Sequence, residues 1–232
     1  MSSGTPVVVF DVNETLSDMA PMAGRFAELG APGHLARLWF ATVLRDGFAL
    51  TAAGRSAPFA EIAAGVLRDM LARDGDVRDL DAAVAHVMEG FGELPVHPDV
   101  PGGVRALAEA GHRLVTLSNG SAAVAERLLA SAGLRECIER CLSVEAAPAW
   151  KPDRRAYAYA AEICGVEPAG MVLVAVHPWD IDGAARAGMR TAWIDRAGGP
   201  YPGHFARPEI VVGGVGELPL RLAAADRPGP RR

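Results

Sequence analysis

Cysteine is scarce: Cys137, Cys141 and Cys164 are the only three in 232 residues. An odd number without paired metal-ligand spacing argues against a disulfide framework or a zinc site, and for free thiols in a reducing compartment. Basic runs are missing too. The 23 Lys and Arg are outnumbered by 28 Asp and Glu, giving a net charge of -5 spread along the chain, so neither nucleic acid nor an anionic membrane is expected as a partner. No apolar stretch reaches the roughly 20 residues of a membrane span, and the N-terminus lacks the basic-then-apolar order of a secretory leader. A cytoplasmic location is expected. No internal repeat is visible. What is present is a globular composition, 50% hydrophobic and rich in Ala and Val, long enough for one ordinary domain with a smaller insertion.

The chain is organised around Val7-Val8-Val9-Phe10-Asp11-Val12-Asn13-Glu14-Thr15-Leu16. A β-branched and aromatic run of this kind marks a strand buried on both faces, and Asp11 falls at its carboxyl end. In open α/β sheets that edge is where ligands bind, so Asp11 is either a chemical group or the cap of a following helix.

From Met19 to Met88 the pattern turns helical. Stripes through Met22, Phe26, Leu35 and Trp39, then Val43, Leu44 and Phe48, then Phe59, Ile62, Val66 and Met70, then Leu80, Val84 and Val87 predict about four helices. Pro32-Gly33, Ala57-Pro58 and Asp74-Gly75 separate them. After the proline-rich return at 94–101, helices and strands alternate. Helices are expected near Val104–Glu109, Ala122–Ala130, Arg154–Ile163 and Ile181–Ala187. Strands are expected at Leu114–Leu117, Leu142–Val144, Val172–Val176, Thr191–Ile194 and Ile210–Val212. Single helices between strands imply a parallel sheet with right-handed crossovers. The expected fold is α/β, a Rossmann-like parallel core formed by residues 1–16 and 96–225, with a helical cap at 17–95 inserted after the first strand and a disordered tail at 226–232. The apolar face at Leu35–Leu44 either joins two chains in a homodimer or packs within the cap.

In such a sheet the residues following successive strands share one edge. Asp11, Asn13, Glu14 and Thr15 follow the first. Ser118, Asn119 and Gly120 follow the second, as an anion-holding turn or an ordinary helix cap. Lys151-Pro152 comes next, where the lysine is either a positioned charge or a solvated one. His177, Trp179 and Asp180 complete the set.

These four groups, in order, resemble the four motifs of the haloacid dehalogenase superfamily of hydrolases. Leu117-Ser118-Asn119-Gly120-Ser121, Lys151-Pro152 with Tyr157, and Trp179-Asp180 before Gly183-Ala184 are most similar to its L-2-haloacid dehalogenase branch. The chemistry such residues can do is definite. A carboxylate at Asp11 displaces a leaving group from carbon, giving an ester that water hydrolyses. Lys151 would keep Asp11 ionised, while Thr15, Ser118 and Asn119 hydrogen-bond the substrate or the reacting carboxylate. Asp180 would orient or deprotonate the water, or pair with Lys151. Trp179 would wall the pocket or serve as a core aromatic. The resemblance adds Tyr157, Asn13 and Phe40 as substrate contacts.

A phosphatase of the same superfamily is the alternative, and a non-catalytic binding protein a third reading. The phosphatases carry an acid two residues after the nucleophile and further acids holding magnesium. This chain has Asn13 and Val176 in those places, and an amide cannot protonate a leaving group. Asp182 would point roughly 200° from Asp180 at roughly 100° per helical residue. A small carboxylate substrate without a cofactor is therefore expected, with magnesium only if the phosphatase reading holds. Departures from the dehalogenase pattern are also plain. The family arginine after the cap tryptophan is Phe40, its glycine before the threonine is Glu14, and its fourth-motif serine and asparagine are Ala175 and His177. Arg37 or Arg45 would have to replace the arginine. Glu14 and His177 are either additional acid-base groups or, respectively, a solvated loop residue and a backbone-bonded histidine. The altered leaving-group pocket points to a different halide or to another group, such as the nitrogen of a strained ring.

Overall fold

The apolar run Val7–Phe10 forms the first strand, β1, with all of its side chains buried. The structure is a computed structural model that describes residues 5–74 and 77–225; the tail at 226–232 and Gly75 of the expected Asp74-Gly75 break lie outside the described residues. Four helices follow β1: α1 (Met22–Glu28), α2 (Leu35–Ala52), α3 (Phe59–Asp74) and α4 (Leu80–Gly92). Then come α5 (Val100–Glu109), β2 (Leu114–Ser118), α6 (Ala122–Ser131), β3 (Arg140–Ser143), α7 (Arg154–Cys164) and β4 (Met171–Ala175). The chain finishes with α8 (Pro178–Arg186), β5 (Arg190–Ile194), β6 (Ile210–Val212) and α9 (Leu218–Ala225).

All strand pairs are parallel and the 6-stranded sheet runs β3-β2-β1-β4-β5-β6. β1 lies in the middle, with the chain winding outward to either side, so the loop after Phe10 opens at the point where the crossovers diverge. Alternate side chains of each strand face opposite layers. Val7 and Val9 join Val115, Leu173, α7, α8 and the cap helices in one apolar cluster. Val8 and Phe10 join Leu114, Val172, Val174, α5, α6 and α9 in the other. Each such side chain contributes about 1.5–3 kcal/mol by its burial.

The inserted helices are held by aromatics. Trp39 donates its indole N–H to Ala63 O at 3.0 Å and meets Phe91 edge-on at 5.5 Å. Trp150, from the loop after β3, stacks on Phe59 at 6.1 Å and donates to Ala57 O at 3.1 Å. The backbone segments leading out to and back from these helices run side by side, with Asp18 N donating to Pro95 O at 2.8 Å and His97 N to Leu16 O at 2.9 Å. Within Leu35–Leu44, the residues Leu35, Trp39, Phe40 and Val43 are buried inside the chain and Leu38 is exposed. Among the described residues no helix is long and apolar enough to cross a membrane.

Several boundaries differ from those read in the sequence. Helix α5 starts at Val100 rather than Val104, and α8 at Pro178 rather than Ile181. In both a proline sits in the first turn, where its missing N–H leaves nothing unsatisfied. The strand expected at Leu142–Val144 is Arg140–Ser143, with Val144–Ala146 forming a 3-10 turn. Helix α9 has no counterpart in the sequence reading; it is short, and buries Leu218 and Leu222, one turn apart.

Candidate active site

Because every strand is parallel, all their carboxyl ends open on one side, and the loops carrying the motif residues meet there. Lys151 lies at the centre. Its Nζ donates to Asp11 Oδ1 at 2.8 Å and to Asp180 Oδ2 at 2.6 Å, with the lysine and Asp180 fully buried and Asp11 nearly so. Thr15 Oγ1 donates to Asp11 Oδ2 at 2.6 Å and accepts the Val176 N–H at 3.1 Å, which ties the first loop to the end of β4. The Tyr157 hydroxyl donates to Asp180 Oδ1 at 2.7 Å.

Two carboxylates share one ammonium, and the protonation equilibria divide accordingly. Burial alone would raise Asp11, but Lys151 and then His177 outweigh it and hold its carboxyl below the ordinary range. Asp180 is pushed up by burial more than Lys151 pulls it down, with the Asp11 charge adding to the rise. Burial opposes the charge of Lys151, yet the two carboxylates raise its ammonium above the usual lysine value. Asp11 is thus held in the ionised form, as a nucleophile requires.

Other residues expected at substrate face the scaffold instead. The Asn119 amide clamps the backbone of Lys151: Oδ1 accepts the Lys151 N–H at 2.9 Å and Nδ2 donates to Lys151 O at 3.2 Å. Ser118 Oγ accepts the Gly120 N–H at 2.9 Å, and Ser143 Oγ donates to Gly120 O at 2.8 Å. Tyr157 is wholly buried beneath Asp180. These side chains position Lys151, Asp180 and the second loop. Asp182 points away as the helical geometry requires, accepting from Arg186 and from Ala206 N, both at 2.8 Å.

A cleft of about 840 Å³ leads from solvent to this centre, lined by Glu14, Arg37, Phe40, His97, His177 and Arg196 among others. Asp11 lies just beneath it, since His177 Nε2 is 3.6 Å from Asp11 Oδ2. The imidazole Nε2 lies 3.1 Å from Asn13 O and 3.7 Å from Glu14 Oε2. A carbonyl only accepts, so that nitrogen carries a hydrogen. The ring stacks on Trp179 at 5.0 Å, with Phe40 at 6.3 Å. Trp179 therefore backs the histidine, with Phe48 at 5.0 Å and the Lys151 ammonium 5.9 Å over its ring. Asn13 is buried and contributes the carbonyl that orients His177. Glu14 holds a left-handed backbone, φ 61°, unusual for any residue but glycine.

Of the two candidate arginines, Arg37 lines the cleft without an ion-pair partner among the described residues, whereas Arg45 bonds Asp46 at 2.8 Å. The sequence reading missed Arg196 and His97. Arg196 donates to Asp99 Oδ1 at 2.8 Å and to Thr15 O at 2.9 Å, and His97 Nε2 meets Glu14 O at 3.0 Å. Arg196 follows β5 as the motif residues follow β1 to β4, so extending the inventory of strand ends by one strand would have found it. Magnesium does not fit here. Among the described residues no three acidic, histidine or cysteine side chains gather as ligands, and Lys151 Nζ fills the gap between the two carboxylates.

A family model described as haloacid dehalogenase-like hydrolase matches residues 5–188. (S)-2-haloacid dehalogenase 1 of Pseudomonas sp. (strain CBS-3) is 30% identical over 216 residues, covering 92% of this chain and 95% of that one. (S)-2-haloacid dehalogenase 4A of Burkholderia cepacia is 30% identical over 212 residues, covering 90% and 91%. Among solved structures, L-2-haloacid dehalogenase from Xanthobacter autotrophicus with chloropropionic acid covalently bound superposes with a TM-score of 0.85 at 25% identity, covering 97% of this chain and 100% of that one.

Proposed function

The chain belongs to the haloacid dehalogenase-like hydrolases, and from that premise we propose that it hydrolyses the bond between C2 of a small carboxylic acid and a leaving group such as halide. The observation that carries this reading is the Lys151 ammonium held between Asp11 and Asp180, which keeps Asp11 ionised in a dry site. Asp11 Oδ2 is the oxygen nearest His177 and hence the cleft, so it attacks C2 while the C2–halogen bond breaks and the halide leaves with the electron pair. Oδ1 becomes the ester carbonyl oxygen, facing the Lys151 ammonium at 2.8 Å. When water attacks Cγ, that ammonium stabilises the charge developing on Oδ1. The products are a 2-hydroxy acid and restored Asp11.

Arg37 fits the substrate carboxylate or the departing anion, because it has no ion-pair partner among the described residues and lies a helical turn before Phe40 on the cleft wall. A homodimer through the cap surface near exposed Leu38 remains compatible with this reading, and a cytoplasmic location suits free Cys137, Cys141 and Cys164. The experiment is to measure chloride release from (S)-2-chloropropionate with magnesium and with EDTA. Equal release in both is expected. Magnesium-dependent cleavage of p-nitrophenyl phosphate without chloride release would overturn the proposal in favour of a phosphatase.

A further inference from the structure

Ester hydrolysis needs a group to take a proton from water and one to give a proton to the departing product oxygen, and Asp180 is badly placed for either. Its Oδ1 is occupied by Tyr157 and its Oδ2 by Lys151, and its side chain has no exposed surface. It does not line the cleft.

Several titratable residues border the cleft, and of these His177 lies 3.6 Å from Asp11 Oδ2 with Glu14 beside it. The His177 Nε2 lies between two oxygens, 3.7 Å from Glu14 Oε2 and 3.6 Å from Asp11 Oδ2. These separations are too long for direct hydrogen bonds and close with small side-chain movement. The ring itself is fixed by the Asn13 carbonyl and by Trp179. Glu14 is held in place at a cost: its left-handed φ of 61° disfavours any residue with a Cβ. Strain of this kind persists where the surrounding structure enforces it and tends to collect at working sites. His97 adds to that enforcement by bonding Glu14 O at 3.0 Å.

We propose that Glu14 and His177 form a proton relay that serves the second half-reaction. The inference rests on the reading of Asp11 as an ester-forming nucleophile. Water attacks Cγ of the ester and its proton passes to the Glu14 carboxylate. The bond from Cγ to Oδ2 breaks, and Oδ2 leaves with the bonding pair as the product hydroxyl, taking the hydrogen from Nε2 of an imidazolium His177, which becomes neutral. Glu14 then returns its proton to Nε2, and the second hydrogen of the water, left on the new Asp11 carboxyl, passes to solvent and restores the carboxylate, the one proton that hydrolysis releases with the halide. Asp180 is a positioning residue that holds Lys151.

Rapid-quench single turnover of (S)-2-chloropropionate, read by chloride release and by intact mass, separates the two half-reactions. In Glu14→Gln and His177→Gln, breakdown of the ester falls far more than first-turnover chloride release, the His177 variant also slowing chloride release because that ring helps to hold Asp11 ionised. Breakdown of the ester slows by roughly 10²- to 10⁴-fold, as loss of a general acid or base does, so the alkylated protein accumulates. If both variants form and clear the ester at the parent rate, or if both fail at chloride release instead, the relay is refuted while Asp11 keeps its role. If the parent protein never forms an ester, the underlying reading falls and takes the relay with it.

Discussion

Lys151 is a fully buried ammonium, and among the described residues its counter-charges within hydrogen-bonding distance are Asp11 and Asp180. Lys151→Met would leave two buried carboxylates facing each other and destabilise the fold by about 3–5 kcal/mol, measurable by urea titration at pH 7. The loss shrinks as pH falls, because burial and mutual repulsion raise the two orphaned carboxyls and their protonation removes the uncompensated charge. Asp11→Asn removes one carboxylate and leaves the other paired, so the protein stays folded while turnover disappears, as circular dichroism and chloride release would show. Glu14→Gly relieves the left-handed backbone and is expected to raise stability by about 1 kcal/mol in thermal unfolding while slowing ester breakdown. At this scale Asp11, Lys151 and Asp180 were legible as a group, because each follows a strand and the parallel sheet brings those ends to one edge, although each alone also had a structural reading. Asn119 and Tyr157 were read as substrate contacts. Their actual partners are the Lys151 backbone and the Asp180 carboxylate, which spacing along the chain does not disclose.

Among the elements, the contact of α2 with Trp150 matters most, because Trp150 immediately precedes Lys151. A Cβ on Gly47 would lie 2.4 Å from the Trp150 ring. Gly47→Ala is therefore expected to destabilise by about 1–3 kcal/mol through overpacking and to lower kcat by shifting the lysine, as paired urea and kinetic measurements would show. Four inserted helices could be read from their apolar stripes and breakers. Their mutual packing could not, since Trp39, Phe59 and Phe91 meet across three different helices. The starts of α5 and α8 were placed a few residues late, at the apolar stripe rather than at the proline-containing first turn that opens each helix.

For the molecule as a whole, the central placement of β1 links stability, acidity and chemistry. Asp99 shows the link away from the nucleophile: burial would raise its carboxyl, but Arg196 and the Val215 N–H outweigh it and hold it below the ordinary value. A lowered folded value stabilises above the unfolded value of about 3.9 and is lost as pH falls through the folded one. Asp99→Asn should flatten that acidic part of the stability curve and loosen the Thr15 loop that Arg196 supports. Parallel α/β order with an insertion was visible because it rests on periodicity over long stretches. The short α9 and the strand end at Arg196 escaped, the first for want of length and the second because its partners, Asp99 and Thr15, lie far off in sequence.

The most direct measurement is a single turnover of (S)-2-chloropropionate with enzyme in excess, run in water enriched in oxygen-18. Ester formation through Asp11 predicts that the first lactate carries ordinary oxygen from the protein and that the label appears in the Asp11 carboxylate. Labelled lactate from that first turnover, with Asp11 left unlabelled, would mean that water attacks C2 directly and would contradict the account.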